Sequence, residues 1–529
     1  MPDIIFCSFY ILLFSAIILW SKWFRAGEFS NKYFLAVFYI KLLFGVALWY
    51  IYTHYYKFRG TNDIFKYYDD ALLIFHTLHT SAKDYFMMMT GLGDADIHYQ
   101  AIHNAMYDAY GSTLYNNSHF IIRLNAFFML FSQGHYGVHV IFMCFISLVG
   151  LIYIYKTFIP FLADRGKELF AAVFLFPSAL LWSSGILKEG LVWFSLGIIL
   201  YHFIPLANGK KIQAKNSIAI LIGFIVLYEA KAYILICLLP CMVTHWLTKR
   251  VTFFSTHRLS TYLLVFILYL GSAFLPHLVL HTKNPLKMIA DKQMDFNRIC
   301  IGGIYLENTK DSNNFAIITV PDSVNLIPLN SRADSLLHER GLRYLGSYPV
   351  VNKERAGSPL ISFMLRKEAP FSDMTLGHKD TLHRTASDSS AYWVYTYLET
   401  ANSRVLIEPI NPNNILSLFS HMPQAMWLSM LLPYPWQVHT AVIAIYCLEN
   451  IFVLAVFFIA LFFIKRPVLH KDLVLLCFFY SLTMLILIGM VTPVFGGIER
   501  YKSVVIPFMF ILLLLITKKP QKIKTQNKP

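Results

Sequence analysis

The chain has 529 residues, 57% of them hydrophobic and only 14% charged, with a formal net charge of +15. Its apolar runs are long enough to cross a bilayer core of about 30 Å and are parted by short loops, which excludes a soluble globular protein. The positive excess does not mark a nucleic-acid binder. It concentrates in loops between apolar runs and in the tail KKPQKIKTQNKP, the pattern of topology determinants and anionic-lipid contact.

Taken in chain order, the predicted spans are 4–22, 33–55, 136–158, 168–184, 190–206, 216–229, 232–248, 259–280, 438–464, 471–490 and 501–517. Each is expected to be helical, because backbone polar groups in lipid must be satisfied within the segment. The run Ile4 to Trp20 lacks a basic leader and a small-residue cleavage site, so it reads as a retained helix. Six of the seven cysteines fall in spans, with no disulfide or zinc spacing. Cys237 and Cys241 share a helix face, as ordinary packing would have it.

Charge sets the parity. Arg165 and Lys167 precede the stretch 168–206, and Lys210, Lys211 and Lys215 follow it. Those lysines also precede 216–248, which Lys249, Arg250 and Arg258 close. Basic residues at both ends of each stretch imply an even number of crossings, so each is a hairpin rather than one broken helix. Lys22, Arg25 and Lys32, then Lys465, Arg466 and Lys471, mark the same side. The expected fold is an all-α polytopic membrane protein of about eleven transmembrane helices, N-terminus outside and C-terminus cytoplasmic. Residues 1–56 hold the first two spans, 57–135 a first outer loop, 136–280 spans three to eight, 281–437 a second outer domain, 438–517 the last three spans, and 518–529 the basic tail.

Within the first outer loop, HFIIRLNAFFMLFS (119–132) has the pattern of an amphipathic helix on or dipping into the membrane, with Arg123 on its polar side. The 281–437 region is polar and of mixed α/β or irregular character. FAIITVPDSVNLI suggests strand, and NILSLFSHMPQAMWLSMLLPYPW reads as an interfacial helix returning the chain to the membrane. No charge at mid-span and no repeat symmetry stands out, which speaks against a transporter.

Three short outward junctions carry cations against the usual orientation signal: Lys188 in SSGILKEG, Lys231 in YEAKAY, and Arg500 with Lys502 in GGIERYKS. Each has a structural alternative, since Glu189, Glu229 and Glu499 lie beside them and side chains at helix ends snorkel. In GTNDIFKYYDDALL, helical from about Ile64, Asp63, Tyr67 and Asp70 fall on one face. A carboxylate there suits a general base; it equally suits a helix cap, with Asp69 and Asp70 solvated. GDADIHYQAIHN supplies Asp94, Asp96, His98 and His103, residue types that bind divalent metal, but their spacing fixes no ligand geometry. Glu449 lies within the ninth span with its role open. Trp182 and Trp393 are outer aromatics of the kind that stack on sugars.

Several segments, in order, resemble the GT-C superfamily of polytopic glycosyltransferases. GTNDIFKYYDDA is similar to its first outer loop, where an acid is followed by Tyr four positions on. FPSALLWSSGILKEGL resembles a Pro-Ser-x-x-x-Trp-Ser-Ser-Gly-x-x-Lys-Glu segment of bacterial GT-C-like proteins. YEAKAYILICLLP is similar to their basic-x-Tyr span start, and TPVFGGIERYKSVVIPFMFILL to the closing Arg-Tyr-x-x-x-x-x-Pro-Phe segment. The likeness covers most of the membrane part and not 281–437. It departs at Lys231, where Arg is more usual, and at Ile64, where a second acid or Ser often follows.

The resemblance implies inverting transfer of a sugar from a polyprenyl-phosphate carrier to a lipid or glycan acceptor. The expected place is the outer face of a bacterial cytoplasmic membrane, in surface polysaccharide or glycolipid assembly, without a nucleotide donor; no cofactor is expected, although some GT-C members use a divalent metal bound by acids. By that likeness Asp63 maps to the base, with Asp70 the second candidate, and Arg500 to the late arginine on the phosphate. Lys231, Lys502 and Lys188 become helpers, with Tyr67 and Tyr501 in support. The alternatives are a polymerase of lipid-linked repeat units, and a glycan transporter or envelope scaffold.

Overall fold

The computed structural model describes residues 2–54, 59, 62–94, 96–99, 102–103, 106, 118–280, 284–301, 303–308, 315–318, 342–348, 360–367, 393–398, 403–405, 407–465 and 467–518. Most of them are helical, and eight helices are long and apolar enough to cross a membrane by length and composition. This is a membrane protein built as a helical bundle. The remainder of FAIITVPDSVNLI and the tail beyond Lys518 lie outside the described residues.

Helix α1 (Pro2–Trp20) and helix α2 (Asn31–His54) form the first pair. Asn31 locks their turn, its Nδ2 donating to the carbonyls of Ile18 at 2.7 Å and Leu19 at 2.8 Å, which satisfies the end of α1. Then come α3 (Asp63–Thr80), α4 (Ala82–Thr90) and α5 (Ser118–Ser132), which buries Ile121, Ile122, Ala126 and Met129 and packs against α3. Helix α6 (Tyr136–Phe158) is the central post, buried along most of its length.

Side-chain contacts give each helix its direction along α6. Asp3 pairs with His135, and Phe14 stacks on Phe145 at 4.3 Å, so α1 runs parallel to α6. Phe34 meets Tyr155 while Gly45 abuts Val140, so α2 runs back. The chain returns again through α7 (Gly166–Phe174) and α8 (Pro177–Trp182). Helix α9 (Lys188–Ala207) then follows α6 in parallel, Gly190 beside Met143 and Gly197 beside Gly150. An added Cβ on Gly197 would lie 2.2 Å from the Gly150 carbonyl oxygen. Only small residues permit that approach, the usual device of helix packing in lipid.

Helix α10 (Ala214–Arg250) is interrupted at Lys231, whose φ of −154° and ψ of 83° are extended. Asn216 bonds His202 at 3.0 Å, Gly223 abuts Ile199, and Lys231 reaches Glu189 at the start of α9. Arg250 then donates to the Leu206 carbonyl at 2.8 Å, back at the end of α9. The two arms of α10 therefore run in opposite directions along α9, and the chain turns at Lys231. The stretches 168–206 and 216–248 each fold back on themselves.

A single turn, α11 (Thr252–Thr256), leads to α12 (Arg258–Leu280) and α13 (Pro285–Ile301). A five-stranded antiparallel sheet follows, in the order β2-β1-β5-β4-β3. Its strands are β1 (Gly303–Asn308), β2 (Phe315–Ile318), β3 (Leu342–Tyr348), β4 (Leu360–Lys367) and β5 (Trp393–Leu398). The chain closes with α14 (Ile415–Leu431), α15 (Ala441–Leu461), α16 (Lys471–Val491), α17 (Phe495–Lys502) and α18 (Ile506–Ile516). Basic residues gather at one end of the bundle. There Asp472 joins Lys249 at 2.8 Å and Arg258 at 2.7 Å, and Arg165 donates to Thr517 Oγ1 at 2.8 Å.

Three expectations are revised. The run 168–184 is not one helix, because Pro177 disfavours helix at Phe176 and restarts it as the first residue of α8. The run 501–517 is likewise split. Tyr501 and Lys502 end α17, and α18 starts at Ile506 with Pro507 in its first turn. A charge does lie at mid-span: Lys41, in the middle of α2, is fully buried and donates to Ser183 Oγ at 2.5 Å and to its carbonyl at 3.2 Å.

Candidate functional site

Four chain breaks meet at the end of the bundle opposite the basic one. They are the entry to α3, the α8–α9 junction, the turn of α10 and the short helix α17. Each break exists for a local reason. Asn62 has extended backbone and starts α3; the α8–α9 turn carries Ser183, Ser184 and Gly185; Lys231 opens the hinge of α10. Helix α17 is fenced by Pro493 and the break before Pro507.

One charged residue from each break joins a single network. Arg500 donates through Nη1 to Asp63 Oδ2 at 2.6 Å. Its opposite edge grips Glu189, Nε to Oε1 and Nη2 to Oε2, the latter at 3.0 Å. Lys231 Nζ adds a third donor to Glu189 Oε1 at 2.6 Å. Two acids and two bases thus balance. The bidentate arginine–carboxylate contact is the strongest geometry such a pair can take.

Burial grades the network. The Glu189 side chain is 0% exposed, Lys231 7%, Arg500 13% and Asp63 31%. Asp63 is therefore the acid that faces outward. Burial raises its pKa, but the Arg500 guanidinium, with help from Lys66 and Lys188, holds the carboxyl below its usual value of 3.8. Asp63 is accordingly ionised at neutral pH.

Aromatic rings wall the charges. Lys231 Nζ sits over Tyr501 at 4.1 Å from the ring centroid, and Tyr233 meets Tyr501 edge-on at 6.0 Å. Arg500 lies over Trp182 at 5.6 Å. The Trp182 Nε1 is buried without a hydrogen-bond partner among the described residues. Lys188 is next door, donating to Ser118 Oγ at 3.1 Å with its Nζ 5.4 Å from the Tyr67 ring. Asp70, one turn of α3 beyond Tyr67, is fully buried.

Not every expected residue arrives. Lys502 points away from Arg500 and serves a second buried cluster, donating to Glu499 Oε1 at 2.6 Å and Asn450 Oδ1 at 2.5 Å. Successive positions two apart on a helix face opposite ways, which separates it from Arg500. The neighbour pairings considered from sequence fail for Arg500 and Lys231. Arg500 ignores Glu499, and Lys231 takes Glu189 rather than Glu229. Nor does Asp63 cap α3. Asn62 holds the cap position, though its Nδ2 donates to the Tyr52 carbonyl at 3.1 Å. Glu189 is the residue that sequence reasoning missed. Its signal was an acid in the first turn of an apolar span, a costly placement that calls for a cation.

The other candidates have local partners. Asp94 binds Arg123 through both oxygens, at 2.6 and 2.7 Å, and Asp96 accepts from the His98 backbone N–H. Among the described residues no group of three or more acids, histidines or cysteines is placed to hold a metal. Glu449 accepts from the Ser178 backbone N–H at 2.9 Å and from its hydroxyl, fastening α15 to the start of α8.

Both ends of the 281–437 region dock beside α17. Gln293 donates to the Met490 carbonyl at 2.8 Å and accepts from the Ile410 N–H at 2.8 Å. Val405 N–H donates to the Pro493 carbonyl at 2.6 Å, and Phe495 N–H to Ser403 at 3.0 Å. Phe296 approaches Tyr501 at 6.5 Å. The short helix that carries Arg500 is therefore braced by this region.

No protein-family model, curated protein or solved structure matches the chain.

Proposed function

We propose that this protein is a GT-C-like glycosyltransferase that moves a sugar from a polyprenyl-phosphate carrier to a lipid or glycan acceptor. The proposed setting is the outer face of a bacterial cytoplasmic membrane, in surface polysaccharide or glycolipid assembly. Eleven crossings with the N-terminus outside accommodate the two fold-backs and the basic end, which becomes cytoplasmic. The observation that carries the reading is the convergence of Asp63, Arg500 and Lys231 from three distant junctions on one site.

In this reading Asp63 takes the proton of the acceptor hydroxyl as that oxygen attacks the anomeric carbon. The bond from that carbon to the phosphate oxygen breaks, and its electron pair leaves with the lipid phosphate. Charge grows on that phosphate in the transition state, so cations already in place act on the barrier itself. Arg500 supplies a planar fork and Lys231 a point charge, with Lys188 in the surrounding field. The step consumes no nucleotide and closes without a redox partner.

The test is transfer from a short-chain polyprenyl-phosphate sugar by the purified protein. Asp63→Asn is expected to lower turnover by about 10²- to 10⁴-fold, the usual worth of a general base, while the protein stays folded. Full activity in both Asp63→Asn and Asp70→Asn removes the assignment. Buried Lys41 in α2 and buried Glu449 in α15, charges within spans, favour a glycan transporter. The Lys41 Nζ is spent on Ser183, however, and the Glu449 carboxylate on Ser178, and among the described residues neither bonds to the Arg500 network.

A further inference from the structure

Arg500 is held on two edges by two unlike acids. Glu189 is fully enclosed, grips the Nε/Nη2 edge in a bidentate contact and shares Lys231. Asp63 is 31% exposed and makes one described contact, to Nη1. Both cations are matched by these acids, so a phosphate that takes a full edge of the guanidinium competes with one of them. Displacing Glu189 would strand a buried carboxylate and Lys231 together. Displacing Asp63 leaves its carboxylate facing the open side, with Lys66 and Lys188 still near.

Resting on the transferase reading of the site, we infer that an incoming phosphate takes the place of Asp63 on Arg500 while Glu189 keeps the guanidinium in position. Glu189 is then the positioning residue of the site, and arrival of the phosphate frees the base. The ligand chemistry is a phosphate ester on a lipid chain. Arg500 has five N–H groups and the described bonds use three, so the edge that Asp63 vacates can be bound by two phosphate oxygens. Release also changes Asp63 itself. The Arg500 charge is the largest of the influences that hold its pKa down against burial, ahead of Lys66 and Lys188, so loss of that contact makes the carboxylate a stronger base.

The experiment measures binding of farnesyl phosphate, and separately of inorganic phosphate, to the full-length protein in nanodiscs. The variants are Asp63→Asn, Glu189→Gln, Glu189→Asp and the double variant Asp63→Asn with Glu189→Gln. Glu189→Gln is expected to weaken farnesyl phosphate at least tenfold, and Glu189→Asp less. Asp63→Asn, which removes the competitor, should bind as tightly as the wild type or more tightly. Adding Asp63→Asn to Glu189→Gln should recover part of the loss, which a merely structural Glu189 would not allow. In turnover, Glu189→Gln should act mainly on donor KM and Asp63→Asn mainly on kcat.

Equal weakening by Asp63→Asn and Glu189→Gln overturns the exchange, as does wild-type affinity in a folded Glu189→Gln protein. Glu189→Asp answers the same question where the Gln variant does not fold. Inorganic phosphate binding as tightly as farnesyl phosphate overturns a lipid source for the ligand. Failure of the wild type to bind either probe overturns the inference as a whole. Binding that follows the expected order while no sugar is transferred overturns the transferase reading alone.

Discussion

Glu189 and Asp63 both contact Arg500, yet their removal should cost very different amounts of stability. The Glu189 carboxylate is 0% exposed and accepts from Arg500 and Lys231. Glu189→Gln removes the buried negative charge and leaves those two cations facing Asp63 alone. Breaking a buried pair from one side costs about 3–5 kcal/mol, or roughly two to three and a half decades in the unfolding constant. Asp63 is 31% exposed, and a pair at such a rim is worth about 1 kcal/mol or less. A double-mutant cycle sharpens the contrast. Lys231→Met should be costly in the wild type and much cheaper beside Glu189→Gln, with a coupling energy toward the upper part of the range of about 0.5–3 kcal/mol seen for contacting residues. Reversible unfolding by SDS in mixed micelles, followed by circular dichroism, gives all four corners. Equal costs for Glu189→Gln and Asp63→Asn, or additivity of Glu189→Gln with Lys231→Met, would refute the burial gradient on which the argument rests.

Two further outcomes follow from the same contacts. The folded pKa of Asp63 lies below its usual 3.8, so its pairing stabilises fully above that value and is lost as pH falls through the folded pKa. The stability difference between wild type and Asp63→Asn should thus be flat at neutral pH and vanish in acid; a difference that instead grew on acidification would contradict the ion pair. Gly197→Leu places a side chain where a Cβ already meets the Gly150 carbonyl at 2.2 Å. It should destabilise by at least the ~1–3 kcal/mol of ordinary overpacking, seen as a lower melting temperature in detergent, while the same change at exposed Gly209, with its positive φ and open surroundings, should cost only its backbone strain.

What the sequence made legible was set by strong, local physics. Apolar runs must be helical in lipid, and basic loops on both sides of 168–206 and 216–248 required each stretch to return. Both fold-backs are present, seen in Gly190 beside Met143 and in Asn216 and Arg250 at the same end of α9. Helix breaks were harder. Pro177 and Pro507 were visible, but whether a proline kinks a span or divides it depends on what its neighbours can satisfy. The site was half legible. Cations at outward junctions are costly enough to notice, whereas the partners of Arg500 come from hundreds of positions away: Asp63 and Arg500 are 437 residues apart, and Glu189 and Arg500 are 311 apart. No periodicity encodes such a pairing, which is why Glu499 and Glu229, close in sequence, looked equally good.

The hub poses its own question of purpose. A clamp between α3, α9, α10 and α17 could be built from apolar side chains, and replacing buried ion pairs by well-packed hydrophobic groups is often neutral or stabilising. This protein instead keeps four charges together, bonded to one another, at the end of a bundle with a large apolar core. It grades them from a sealed Glu189 to an Asp63 that is one-third open. Stability alone would favour sealing all four or using none. A gradient of exposure across a balanced cluster is what a site needs if one contact must yield to a ligand while the rest hold. It also explains why Lys502, with its charge spent on the fully buried Glu499, belongs to the scaffold that fixes α17 rather than to the site that α17 presents.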